Sequence, residues 1–190
     1  MDFTNTEHVK AVGVGVIEKW VPEDLERKFA LEDEYKHLGP VLAAQRALAE
    51  LAEVGIVPIE RLTSRNILVN TGLTDIGNGL ITAGLALPYS AANAHLGVGD
   101  SATAAAVTQT DLQAATNKFR KAMDGGFPTV SNGVYTFRST YSTAEANFVW
   151  AEWAVFNAAT AGRMLNRSVA ALGTKPNTQS WQLTTTVTIT

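Results

Sequence analysis

The stretch "ANFVWAEWAVFN", residues 146–157, decides the fold class. Its residues alternate. Phe148, Trp150, Ala154 and Phe156 fall on one face with Glu152, and Val149, Trp153 and Val155 fall on the other. A period of two places successive side chains on opposite faces of a strand. Both faces here are apolar, as expected of a strand covered on both sides. Glu152 is the exception, set between Trp150, Ala151, Trp153 and Ala154. A lone carboxylate in such surroundings is costly, so it is expected to pair with an arginine: Arg138, Arg163 or Arg167.

The same period recurs on either side. "AHLGVG", "TNKFRKAMD", "VYTFRSTY", "RMLNRSVAAL" and "SWQLTTTVTIT" all read as short strands. "FPTV" and "VYTFRSTY" flank Ser131-Asn132-Gly133, a hairpin signal because Asn and Gly tolerate positive φ. In the closing strand Trp181, Leu183, Val187 and Ile189 share a face opposite a row of threonines. Six or seven short strands without intervening helices predict a β-sandwich or jelly-roll-like domain. "DIGNGLITAG" reads as a short helix capped by Thr74.

The first third has a different chemistry. Residues 1–65 carry 12 acidic and 8 basic side chains, and residues 66–190 carry only 6 and 7. Ser and Thr run the other way, 4 against 26. The shift places a boundary near Ser64, with an N-terminal arm and helical segment over 1–65 and a β-sandwich over 66–190. "VGVGVIEKW" (12–20) reads as a short strand or an extended arm. Pro22 with Glu23 and Asp24 starts a helix, Gly39-Pro40 ends it and opens another, and Gly55 stops the second. Leu42, Leu48, Ala49, Leu51 and Val54 are expected to form the buried stripe of that second helix. The fold class is therefore mainly β with a helical N-terminal segment: an arm and helical hairpin before a sandwich.

Most chemistry is excluded or unsupported. The net charge is −3, against a dedicated nucleic-acid binder. There is no cysteine, hence no disulfide and no thiolate metal site. Neither a secretory leader nor a membrane-spanning helix is expected. Gly97-Val98-Gly99 lacks the rest of a nucleotide-binding fingerprint, and Asp100 would repel a phosphate. "HLGVGDSATAAAVTQTDL" (95–112) instead reads as a strand end, a tight glycine turn and a small-residue connector, with 102–107 suited to packing on a neighbour. His8, His37 and His95 share no ligand spacing. Glu145 and Glu152 have the wrong parity for a glycosidase pair on one strand. No catalytic, cofactor-binding or metal-ligating residue is assigned, and no cofactor is expected. The candidate core or interface residues are Trp150, Trp153, Phe156, Trp181, Glu152 and Arg167. Low charge on a Thr-rich β domain points to a surface partly covered by copies of itself.

"ILVNTGLTDIGNGLI", "HLGVGDSATAAAVTQTDLQAATN", "ANFVWAEWAVFN" leading into "RMLNRSV", and the closing "WQLTTTVTIT" together resemble structural proteins of tailed-bacteriophage virions. The shared marks are a short Gly-Leu helix, a Gly-x-Gly-Asp turn before small residues and Thr-x-Leu, and a late Glu-x-x-Val-Phe-Asn strand. The resemblance covers 66–190 and brings no catalytic residues. It implies a non-enzymatic virion protein assembled in the host cytoplasm, most simply a homotrimer decorating the capsid. Its partners would be itself and the major capsid protein or another virion protein, with no nucleic acid and no membrane. A tail-fibre, baseplate or receptor-binding component, or a carbohydrate-binding module, is the alternative.

Overall fold

The structure is a computed structural model, and it describes residues 11–81 and 87–189. Among these residues nine strands and three α-helices follow in the order β1 (Ala11–Trp20), α1 (Pro22–Glu34), α2 (Pro40–Glu53), β2 (Glu60–Leu68), α3 (Asn70–Ile81), β3 (His95–Gly99), β4 (Lys118–Ala122), β5 (Thr129–Ser131), β6 (Val134–Tyr141), β7 (Val149–Phe156), β8 (Met164–Thr174) and β9 (Ser180–Ile189). The strands form one antiparallel sheet ordered β4-β3-β7-β8-β2-β1-β9-β6-β5. The sheet curls until β4, at one end, meets β6 near the other. The Asp124 N–H donates to the Arg138 carbonyl at 2.8 Å, and the Ser139 hydroxyl donates to the Ala122 carbonyl at 2.9 Å. The mainly β architecture with an early helical pair is as the sequence predicts.

The core lies between the two halves of the curl. Ile17, Leu96, Val98, Phe137, Tyr141, Trp150, Trp153, Trp181 and Leu183 meet there. Tyr141, Trp150 and Trp181 stack edge to face, with ring centroids 4.7 and 4.9 Å apart. The polar atoms of Tyr141 and Trp153 find partners, as those of buried aromatic side chains usually do. Tyr141 donates to the Leu96 carbonyl at 2.8 Å, and the Trp153 indole to Ser64 Oγ at 2.8 Å. Gly15 makes room: a Cβ there would lie 2.3 Å from the Trp153 ring.

Several expectations are corrected. The compositional shift near Ser64 marks no break in the sheet. It falls inside β2, and of the two readings of 12–20 the strand is the one observed: β1 is a central strand paired on both sides. The charge of 1–65 sits mostly on the helices, so averaging hid a strand. In β7, Trp150 and Trp153 share the main core despite their odd spacing. A register shift against β8 between Trp150 and Glu152 breaks the alternation. The buried stripe of α2 is Ala43, Ala47 and Leu51. Leu42 and Val54 are 56% and 71% exposed. Helix α3 starts at Asn70, so Thr74 lies inside it, its hydroxyl bonded back to the Asn70 carbonyl at 2.8 Å. Gly97 and Gly99 lie inside β3 rather than in a turn. The hairpin at Asn132-Gly133 is as predicted, with φ of 48° and 76°.

Candidate functional site

All six residues singled out from the sequence lie in the interior. They separate into two groups. Trp150, Trp153 and Trp181 fill the main core, so none offers an exposed ring for stacking on a ligand. Phe156, Glu152 and Arg167 lie on the outer face of the β3–β7–β8 half, under the connector 100–117. Of the three arginines considered for Glu152, the partner is Arg167: its Nε donates to Glu152 Oε2 at 2.7 Å, and both side chains are wholly buried.

This pair reaches outward to the connector. Glu152 accepts the backbone N–H of Ala114 at 2.7 Å and of Gln113 at 3.0 Å. Arg167 donates from Nη1 to Gln109 Oε1 at 2.8 Å and from Nη2 to the Thr103 carbonyl at 3.0 Å. The connector has no strand partner for these groups, and buried backbone polar groups need one. The ion pair supplies it. Beside it, Arg120 lies 3.5 Å over the Phe156 ring and donates to Asp111 at 2.7 Å. Burial alone would raise the Asp111 carboxyl, but Arg120 and the Leu112 N–H together hold it below the usual value. The glycines of "HLGVG" now have a spatial reason. A Cβ on Gly97 would meet Phe156 at 2.7 Å, and one on Gly99 would meet Glu152 Oε1 at 2.5 Å. The run 102–107 is largely on the surface.

A second charged cluster fixes the helices to the outer face of β6 and β9. Arg138 holds Glu32 with two bonds of 2.9 and 2.7 Å and Asp124 with one of 2.9 Å. Lys28, buried on α1, donates to Gln182 at 2.5 Å and lies 2.9 Å from Glu32. A cavity of about 530 Å³ adjoins this cluster, bordered by Phe29, Pro40, Gly125 and Gly126. Arg138, considered above as a partner for Glu152, pairs here with Glu32 and Asp124 instead.

A second cavity, about 800 Å³, of which the sequence shows no sign, lies between α3 and the β5–β6 hairpin. Its apolar wall comes from Ile76, Phe137, Leu165, Val187 and Ile189. Asp75 and Tyr89 close one side, with Tyr89 donating to Asp75 at 2.9 Å and Arg163 holding the same carboxylate at 2.8 Å. Burial, with the Asp75 charge, pushes the Tyr89 phenol well above its usual range, so it stays a neutral donor. Val130 and Tyr135, cross-strand partners on β5 and β6, stand at the mouth with 63% and 39% of their surface exposed.

Glu145 is paired with Lys121 at 2.6 Å and accepts the Ser142 N–H at 2.9 Å. His95 faces the Asn93 carbonyl at 2.7 Å, and His8 lies outside the described residues. Among the described residues, no group of three or more His, Asp or Glu could hold a metal ion. No helix among them is long and apolar enough to cross a membrane. No protein-family model matches the chain, and no curated protein matches it in sequence.

Proposed function

We propose that the protein is a non-enzymatic structural subunit of a tailed-phage virion, a capsid decoration or minor capsid protein that works through oligomeric contacts. The observation that carries the non-enzymatic part is how the interior charge is used. Glu152, Arg167, Glu32, Arg138 and Asp124 are all engaged in docking the chain's own segments. An active site needs reactive groups held near a substrate, and these are held by each other. The virion part rests on the resemblance over 66–190. Exposed apolar side chains on α2 and at the β5–β6 mouth supply contact surface for neighbours. Such a subunit would stabilise a shell by adding interface area, of order 1,200–2,000 Å² per stable contact.

The test is localisation in the intact particle by cryo-electron microscopy. Density at threefold or quasi-threefold positions of the capsid is expected. Density confined to the tail tip would replace this reading with a tail component. Absence from the particle would overturn both.

A further inference from the structure

We infer that Lys175 and Asn147 form a site of self-modification, in which the lysine amine displaces ammonia from the asparagine carboxamide and leaves an isopeptide bond between the start of β7 and the end of β8. Lys175 differs from the other buried cations. Lys28, Arg138 and Arg167 each hold a carboxylate. Lys175 is 1% exposed, yet the acceptors around its Nζ are uncharged. They are the Ser142 carbonyl at 2.7 Å, Asn147 Oδ1 at 2.8 Å and the Pro176 carbonyl at 3.5 Å. A buried ammonium without a counter-ion in contact is costly, and burial pushes this one down to about 8. At pH 7 about a tenth of it is then the neutral amine, the form that attacks a carbonyl carbon.

The backbone holds the two reacting groups together. Val149 pairs with Thr174, and the Lys175 N–H donates to the Phe148 carbonyl at 3.0 Å. Asn147 immediately precedes Phe148. Its carboxamide is fixed from both ends, because Oδ1 accepts from Lys175 and Nδ2 donates to the Thr143 carbonyl at 2.7 Å. Reactants held in one place escape the entropy cost of finding each other. Asn147 is also exposed, so departing ammonia reaches water directly.

Ser142 links the pair to a carboxylate. Its carbonyl accepts from Lys175 and from the Glu145 N–H at 3.1 Å, and its own N–H donates to Glu145 Oε2 at 2.9 Å. The Glu145 charge acts on Lys175. Burial alone would raise the Glu145 carboxyl, but Lys121 and the Ser142 N–H hold it below the usual value, so it is ionised and can relay a proton. In the step, the Nζ lone pair bonds to Asn147 Cγ and the Cγ–Nδ2 bond breaks. The proton shed by Nζ passes through Glu145 to Nδ2, which leaves as ammonia. No oxidant or cofactor is consumed. The chain has no cysteine. This bond would close a loop between residues 28 apart, around Glu152 and Arg167, as a disulfide closes one elsewhere.

The inference is independent of the virion reading, and intact-mass spectrometry of the purified full-length chain tests it. After incubation at neutral pH the chain should be lighter than its sequence mass by one ammonia. A proteolytic digest should contain a branched peptide joining Asn147 to Lys175. Lys175→Arg and Asn147→Ala, shown to fold by circular dichroism, should each keep the full mass. Glu145→Gln should stay mostly unclosed through the same incubation. An unaltered chain at full mass would overturn the inference. So would an ammonia loss that persists in Lys175→Arg, which would place it at Asn132-Gly133 cyclisation instead. Complete closure in Glu145→Gln would overturn the relay.

Discussion

The connector 100–117 and the helical pair α1–α2 both lie on outer faces of the curled sheet, and both are held by buried charge. The two attachments are built differently. Under the connector, Glu152 and Arg167 spend most of their hydrogen bonds on backbone groups that have no strand to pair with. The pair completes the fold. Under the helices, Arg138, Glu32, Lys28, Asp124 and Gln182 bond mainly side chain to side chain, joining elements whose own backbones are already satisfied. A cavity adjoins that cluster, whereas the Glu152–Arg167 pair is sealed. Breaking the first attachment should therefore unfold the molecule, and breaking the second should release one part of it.

The largest effect is expected at Glu152→Ala. It leaves Arg167 charged and buried and strips acceptors from Gln113 and Ala114. Removing one partner of a sealed pair typically costs about 3–5 kcal/mol. Urea unfolding should register that as a large fall in midpoint with a single transition.

Arg138→Met should cost less, about 2–3 kcal/mol, because Glu32 and Asp124 retain some access to water. Its signature is local. Hydrogen exchange should quicken across α1 and α2 while the amides of β7 and β8 keep their protection. Uniform acceleration would erase the distinction between the two attachments.

Gly99→Ala sharpens the comparison from the other side, by overfilling. Its Cβ would push on the Glu152 carboxylate and the Ala114 methyl. Overpacking of this kind costs about 1–3 kcal/mol. Gly125→Ala is the control, since nothing lies within 4 Å of its added carbon. Equal thermal midpoints for the two would count against close packing at the clamp.

The smallest effect is acid sensitivity of the helical attachment. Burial alone would raise the Glu32 carboxyl, but Arg138 and Lys28 hold it below the usual 4.5. The unfolded chain thus binds more protons as pH falls through that region. The stabilisation is present above pH 4.5 and is lost as pH drops through the lower folded value. Unfolding midpoints from pH 6 to 3 should fall less steeply in Glu32→Gln than in the unaltered chain.

What the sequence revealed follows from which interactions are local. Alternation found the strands, and Asn132-Gly133 found a hairpin, because both are written in neighbouring residues. The partner of Glu152 was narrowed to three arginines, but choosing Arg167 needed the β7–β8 register. The parity of Trp150 failed at a register shift, a property of two strands together. Gly97 and Gly99 looked like a turn because glycine usually answers a need of the backbone. Here it answers the volume of Phe156 and Glu152, which lie far along the chain. The burial of Lys28 depends on Gln182 of β9, far along the chain, together with Glu32 on its own helix. The end cavity is space left between α3 and the β5–β6 hairpin, and empty space leaves little trace in a sequence.

The central claim, that Glu152 and Arg167 act as one clamp on the connector, is tested most directly by a double-mutant cycle. Glu152→Leu, Arg167→Met and the double variant would be unfolded in urea, with the Ala114 amide followed by hydrogen exchange. The account predicts that each single change is severe and that the double recovers about 1–3 kcal/mol relative to their sum, with Ala114 unprotected in every variant lacking Glu152. Additive losses with Ala114 still protected would contradict it.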